Sequence, residues 1–119
     1  MERMYTIGGK KLRLKASLYT AIAYKAAFGS ELIGDLERAA KLVSGSAKCG
    51  EDTEAKELYV SGAYLYLRAL YIFACEGSTG ELPLYDDWLK GIGGVDLADV
   101  ISTVSELYSS TLKPDRKNV

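Results

Sequence analysis

The sequence predicts a mainly α protein, a small helical bundle of about five helices with an N-terminal β-hairpin. Three observations carry this expectation. Residues 4–15 alternate apolar and polar around a Gly-Gly pair, later segments repeat apolar residues at spacings of three and four, and one long stretch is almost free of charge. With 119 residues, 48% apolar and 26% charged, the chain has room for one ordinary domain. Residues 1–112 are expected to form it, with 113–119 a polar, disordered tail. No apolar run approaches the ~18 residues that a spanning helix needs. The start, Met1-Glu2-Arg3-Met4-Tyr5, lacks a signal-peptide core, so the chain reads as mature and cytosolic.

In the hairpin, Tyr5 and Ile7 alternate with polar neighbours, as do Leu12 and Leu14, and Gly8-Gly9 tolerates the positive φ of a tight turn. A two-residue loop (Gly8, Gly9) and a four-residue loop through Lys11 both keep those four side chains on one face. An isolated ribbon is marginal in water, so that face must lie on helices. Ser17 suits the N-cap of a helix ending at Phe28-Gly29, with Leu18, Ile22, Ala23 and Ala26 in helical spacing. Ser30 suits the cap of a second helix through Val43, striped by Leu32, Ile33, Leu36, Ala40 and Val43. Residues 44–53 change to Gly, Ser and charge and read as an exposed loop.

The segment from about Thr53 to Cys75 is the central post. Between Leu58 and Ala74 the only charge is Arg68, and apolar or aromatic residues occupy all sides of the wheel, so neighbours bury the helix on most sides. Its tyrosines can bury rings and keep hydroxyls at the edges. Arg68 is either a buried partner to a carboxylate or a side chain snorkelling to the edge. Pro83 suits the first turn of a short helix with Tyr85, Trp88, Leu89 and Ile92. Asp96 caps the last helix, where Leu97, Val100, Ile101, Val104, Leu107 and Tyr108 form the inner stripe.

Composition excludes much chemistry. With no histidine, Ser-His-Asp and Cys-His catalysis and imidazole metal sites are ruled out. Cys49 and Cys75 fit no zinc or redox spacing; they form one disulfide or, as a reducing cytosol favours, two free thiols. Asp86 and Asp87 diverge by about 100° on a helix and cannot pair on one substrate. First-turn placement at helix N-termini explains them together with Asp96 and Asp99. No catalytic set, cofactor site or metal site emerges. The net charge of -1 is unevenly spread. Residues 1–29 hold six bases against Glu2, and residues 77–112 hold six acids against Lys90. This distribution suits head-to-tail contact between copies, or two solvated faces of opposite sign. It does not suit nucleic acid.

The order of segments resembles a known family. A "YTIGGKKLRLK" ribbon precedes a short helix ending "AAFGSEL". A long apolar helix ends "LRALYIFACEG", and "LYDDWLKGI", "VDLADVISTVSELYSSTLK" and a polar tail follow. This is similar to the tail assembly chaperones of long-tailed bacteriophages infecting Gram-positive bacteria, over nearly the whole chain. An extra Gly-Lys pair in the turn departs from the pattern. The resemblance implies a non-enzymatic protein of the host cytoplasm. Several copies would coat and solubilise the tape-measure protein until tail-tube subunits displace them, and none would remain in the virion. It also implies a longer frameshifted form that recruits the tail-tube protein, and Arg116-Lys117-Asn118 can be encoded by an A-rich slippery heptamer. Self-association is expected, whereas nucleic acid and membrane are not expected partners. For the client-binding face, the expected residues are the outward members of the apolar stripe, Tyr59, Tyr66 and Phe73, with Tyr108 on the last helix. The alternative is a small helical ligand-binding or dimerising regulatory module of a phage or mobile element.

Overall fold

The computed structural model describes residues 2–49 and 53–112. Strands β1 (Glu2–Ile7) and β2 (Lys10–Lys15) form an antiparallel hairpin. Helices α1 (Thr20–Phe28), α2 (Leu32–Cys49), α3 (Thr53–Gly77), α4 (Tyr85–Gly91) and α5 (Leu97–Leu112) follow, in agreement with the expected fold class. The expected tail, 113–119, lies outside the described residues.

The hairpin takes the two-residue loop: Ile7 opposes Lys10, and Tyr5 opposes Leu12. Gly8 and Gly9 have φ of 56° and 79°, the doubly left-handed turn that matches strand twist and that only small residues adopt without strain. Tyr5, Ile7 and Leu14 are buried and Leu12 is half-buried, so the alternating face lies on the helices as required. The ribbon's far corner meets the end of α3. A Cβ on Gly77 would stand 2.0 Å from the Arg13 carbonyl oxygen, so only glycine allows strand and helix to touch there.

At the start of α1, the Ser17 hydroxyl accepts the Tyr19 N–H at 3.2 Å while Thr20 Oγ1 accepts the Ser17 N–H at 2.8 Å. These bonds order the turn leading into α1, but Ser17 is not its N-cap: the helix starts at Thr20, and Tyr19 at the cap position offers no side-chain bond. Gly29, at φ 77°, closes the helix by donating its N–H to the Lys25 carbonyl. The buried face, however, is Thr20 and Tyr24 with half-buried Phe28. Leu18 is 80% and Ile22 63% exposed, and Ala26 is exposed too, so most of the stripe expected to pack inward faces out. Tyr24 wins the inner side because its hydroxyl finds a buried acceptor, Asp35 Oδ2 at 2.6 Å.

Three expectations for α2 are corrected. Ser30 does not cap it: the first helical N–H, from Asp35, goes to the Glu31 carbonyl, and the Ser30 hydroxyl donates to the Asp35 carboxylate instead. Ile33 and Ala40 lie outside, while Leu32, Asp35 and Ala39 form the buried row. The helix also continues past Val43 to Cys49. The small residues expected to open a loop serve as packing here: Gly45 faces Leu58, and the Ser46 hydroxyl folds back onto the Val43 carbonyl at 2.6 Å.

Helix α3, 25 residues and so roughly 37 Å long at 1.5 Å per residue, contacts β2, α1, α2 and α5. It pairs closely with α2 at Gly62, where a Cβ would come within 2.9 Å of the Ala39 carbonyl. From Tyr66 to Ala74 every residue but Arg68 is buried. Glu54–Gly77 carries an 18-residue window of mean hydropathy 1.3, so by length and composition this helix could cross a membrane; 56% of the window is buried within the fold. The expected absence of any such run is thereby corrected. The unbroken charge-free stretches stay short, with Arg68 between them, and the window reaches that mean by averaging across Arg68.

Asp96 caps α5, its Oδ1 accepting the N–H groups of Ala98 and Asp99. Val100, Val104, Leu107 and Tyr108 bury the expected stripe, with Leu97 and Ile101 half-buried. The basic hairpin and the acidic C-terminal half are not opposite ends. Arg3 pairs with Glu106 at 2.9 Å, and the Tyr5 hydroxyl donates to Asp99 at 2.8 Å. Part of the charge asymmetry is thus answered inside one molecule.

Candidate functional site

The four residues expected to face a client do not form a surface. Tyr66 is 6%, Phe73 0% and Tyr108 8% exposed, and Tyr59 is half-buried. A helix with apolar residues on all sides gives no outward direction by itself, and the burial that anchors α3 captured Tyr66 and Phe73, while Tyr108 belongs to the inner stripe of α5.

The uncovered apolar surface lies elsewhere. One part is the turn before α1 together with its outer side, where Leu18, Tyr19 and Ile22 stand in solvent. The other is a strip on α3. Val60 and Tyr64 are exposed, Arg68 is half-buried one turn on, and the strip runs into a groove of about 600 Å³ lined by Phe28, Arg68, Tyr71, Leu84, Tyr85 and the polar rim Asp86, Asp87 and Lys90. The spacing of Val60, Tyr64, Arg68 and Tyr71 follows one helical face.

Interlocked rings make the groove wall. Phe28 meets Tyr85 edge-on at 5.1 Å, and Tyr71 stands 5.5 Å from Tyr85 and 5.2 Å from Trp88. Such tilted contacts add attraction beyond simple burial and fix the rings. The Tyr71 hydroxyl donates to the Pro83 carbonyl at 2.6 Å, tying the wall to the segment before α4. Burial, with the Cys75 thiol adjacent, pushes Tyr71 up to about 12. Burial, relieved in part by Arg68, pushes Tyr85 up to about 12. Both phenols therefore stay protonated across ordinary pH and act as donors and apolar walls, not as bases.

Arg68 resolves the sequence alternatives in a third way. Its guanidinium lies 5.2 Å from the centroid of Phe28, a cation–π contact, and no carboxylate pairs with it among the described residues. Beneath it, Asp35 accepts hydrogen bonds from Tyr24, Ser30 and Arg38 at 2.6, 2.6 and 2.7 Å. Burial alone would raise the Asp35 pKa. The Ser30 and Tyr24 hydrogen bonds and the charges of Arg38 and Arg68 outweigh it and hold the carboxyl below its ordinary value. This network locks α1 onto α2 and sets where Phe28 stands.

Among the described residues no three His, Cys, Asp or Glu side chains converge on a point. Burial raises the half-buried Cys75 thiol, which makes its thiolate scarce; Cys49's side chain lies outside the described residues. A sequence signal for the real strip existed. Glu57, Ser61, Tyr64 and Arg68 recur at spacings of four, three and four, marking the one side of α3 that tolerates polarity. Comparisons of the chain with protein-family models, with curated proteins and with solved structures find no match.

Proposed function

We propose that this chain is a non-enzymatic tail assembly chaperone of a long-tailed phage, which coats and solubilises the tape-measure protein in the host cytoplasm and is displaced by tail-tube subunits. The observation that supports it best is apolar surface left uncovered on a well-packed fold: Leu18, Tyr19 and Ile22 at the start of α1, and Val60 and Tyr64 leading into the aromatic groove. Contiguous exposed apolar surface marks partner sites. A strip along a helix, opening into a ring-lined groove, suits the apolar face of a long helical client. The segment order described above supplies the identity of that client. A surface this modest also suits a chaperone that must later let go. Self-association and recruitment of the tail-tube protein by a longer frameshifted form belong to the same proposal, as does absence from the mature virion.

The test is co-expression with the very long helical protein encoded in a neighbouring gene. The wild-type chain should keep that protein soluble and co-purify with it, while Leu18→Ser, Ile22→Ser and Tyr64→Ser together should abolish co-purification without unfolding the chain. Unchanged co-purification of the folded triple variant would overturn the reading. The groove favours one rival, a small ligand-binding or regulatory module of a phage or mobile element. That reading gains if Arg68→Ala removes binding of a small molecule while client capture is absent in the wild type.

A further inference from the structure

A two-stranded sheet has two edges, and only one of them is closed here. In the doubly left-handed turn the Ile7 carbonyl accepts from Lys10, so the hydrogen-bonded pairs run 7–10, 5–12 and 3–14 along the register. The backbone groups of Glu2, Met4 and Thr6 on β1, and of Lys11, Arg13 and Lys15 on β2, therefore point away from the ladder. On the β2 side the end of α3 covers this edge, with Gly77 pressed against the Arg13 carbonyl. On the β1 side no backbone group of Glu2, Met4 or Thr6 bonds to another element among the described residues. All three residues are exposed, Met4 by 61%. An open edge of this length is a template for another strand.

We infer that β1 pairs with β1 of a second copy, antiparallel about a two-fold axis through Met4, to make a four-stranded sheet of order β2-β1-β1-β2. Self-complementarity selects the second copy over other strands. With Met4 opposite Met4 of its partner, Glu2 faces Thr6, and all three outward residues of each strand exchange hydrogen bonds, six in total. Centring on Arg3 would set two guanidiniums face to face. Centring on Tyr5 would lose two of the six bonds and oppose Arg3 to Ile7. Charge fits the Met4 register as well. The outward bases Lys11, Arg13 and Lys15 all lie on β2, so the two basic rows stand three strand spacings apart, about 14 Å, beyond the ~8 Å screening length of physiological salt. Glu2 falls in a row between its own Lys15 and the partner's Lys11. Strand addition of this kind buries less than a standard interface, so the dimer is weak and concentration-dependent. The inference gives the self-association in the proposed function a specific surface, rests on the strand edge, and can fail while client capture, tested separately, stands.

Sedimentation velocity over a concentration series tests it. The wild type should dimerise reversibly with little dependence on salt. Met4→Lys, which sets two ammonium groups opposite each other on an already exposed position, should weaken the dimer by at least about tenfold with an unchanged circular dichroism spectrum and melting point. Met4→Cys should cross-link on mild oxidation, since hydrogen-bonded partners lie about 5.5 Å apart between Cα atoms, within disulfide reach; Leu18→Cys should not. A wild type that stays monomeric at millimolar concentration would overturn the inference. So would a dimer indifferent to Met4→Lys, or one dispersed by salt or by Leu18→Ser.

Discussion

Replacing Tyr24 by phenylalanine removes one hydroxyl and no ring, and so isolates the bond that ties α1 to α2. That hydroxyl donates to Asp35 at 2.6 Å, and the Asp35 residue is 4% exposed. A hydrogen bond to a charged group contributes about 1.5–3 kcal/mol, and a domain of this size shifts its melting point by about 4 °C per kcal/mol. Tyr24→Phe should therefore melt about 6–12 °C below the wild type at pH 7. The pH dependence has a definite sign. Asp35's folded pKa is lowered, so its ionised form stabilises the fold above the unfolded value near 3.9. That contribution fades as pH falls through the lower folded value. The gap between wild type and variant should shrink only as pH falls through that lowered folded value, where the carboxyl becomes neutral and accepts a weaker bond. Calorimetry at pH 7 and over an acid series measures both. A variant melting within about 2 °C of wild type at pH 7, or a gap that widens as the pH falls, would refute the reasoning.

The remaining predictions bear on the hairpin, the core and the thiol. Gly77→Ala places a Cβ 2.0 Å from the Arg13 carbonyl oxygen, so it should cost about 3 kcal/mol by urea unfolding and deprotect the hairpin amides first in hydrogen exchange; a wild-type midpoint would contradict the docking of β2 on α3. Phe73→Ala empties a fully buried site and should cost about 3–5 kcal/mol, so loss of client capture in that variant would report unfolding; a stable Phe73→Ala protein would contradict the core assignment. In a Cys49→Ser background, Cys75 should react with a disulfide reagent more slowly than free cysteine at pH 7.5 and accelerate as pH rises, because burial raises its pKa; a faster rate would contradict that environment.

Where caps and period are local the helix positions were legible, though α2 runs past its expected end at Val43 to Cys49 and Ser30 does not cap it. Gly8-Gly9, Gly29 and Asp96 act as the sequence suggests, and the inner stripe of α5 is the one its spacing marks. Faces were legible only where polarity is one-sided. At α1, Ile22 and Leu18 in the turn before it oppose Tyr24 and Phe28, and hydrophobicity cannot choose between such sides. The choice falls to Thr20 and Tyr24, whose hydroxyls find partners in Ser17 and Asp35. Asp35 is likewise a charge on the buried row of α2, acceptable because three donors from different segments converge on it. Such satisfaction is a tertiary fact that no local window holds. The misplacement of Tyr66 and Phe73 has the same origin: an all-apolar rod hides its outward side, and only the sparse polar row through Ser61 and Arg68 reveals it, whereas Tyr108 follows the inner stripe that its own spacing on α5 marks.

The proposal that this protein works by covering apolar helices is tested most directly by dilution of the long helical client from denaturant while light scattering is followed. Added wild-type chain should suppress aggregation in proportion to its concentration, and Leu18→Ser, Ile22→Ser and Tyr64→Ser together should leave scattering at the level of client alone. Aggregation that proceeds unchecked with excess folded wild type, or that the triple variant suppresses equally well, would contradict the account.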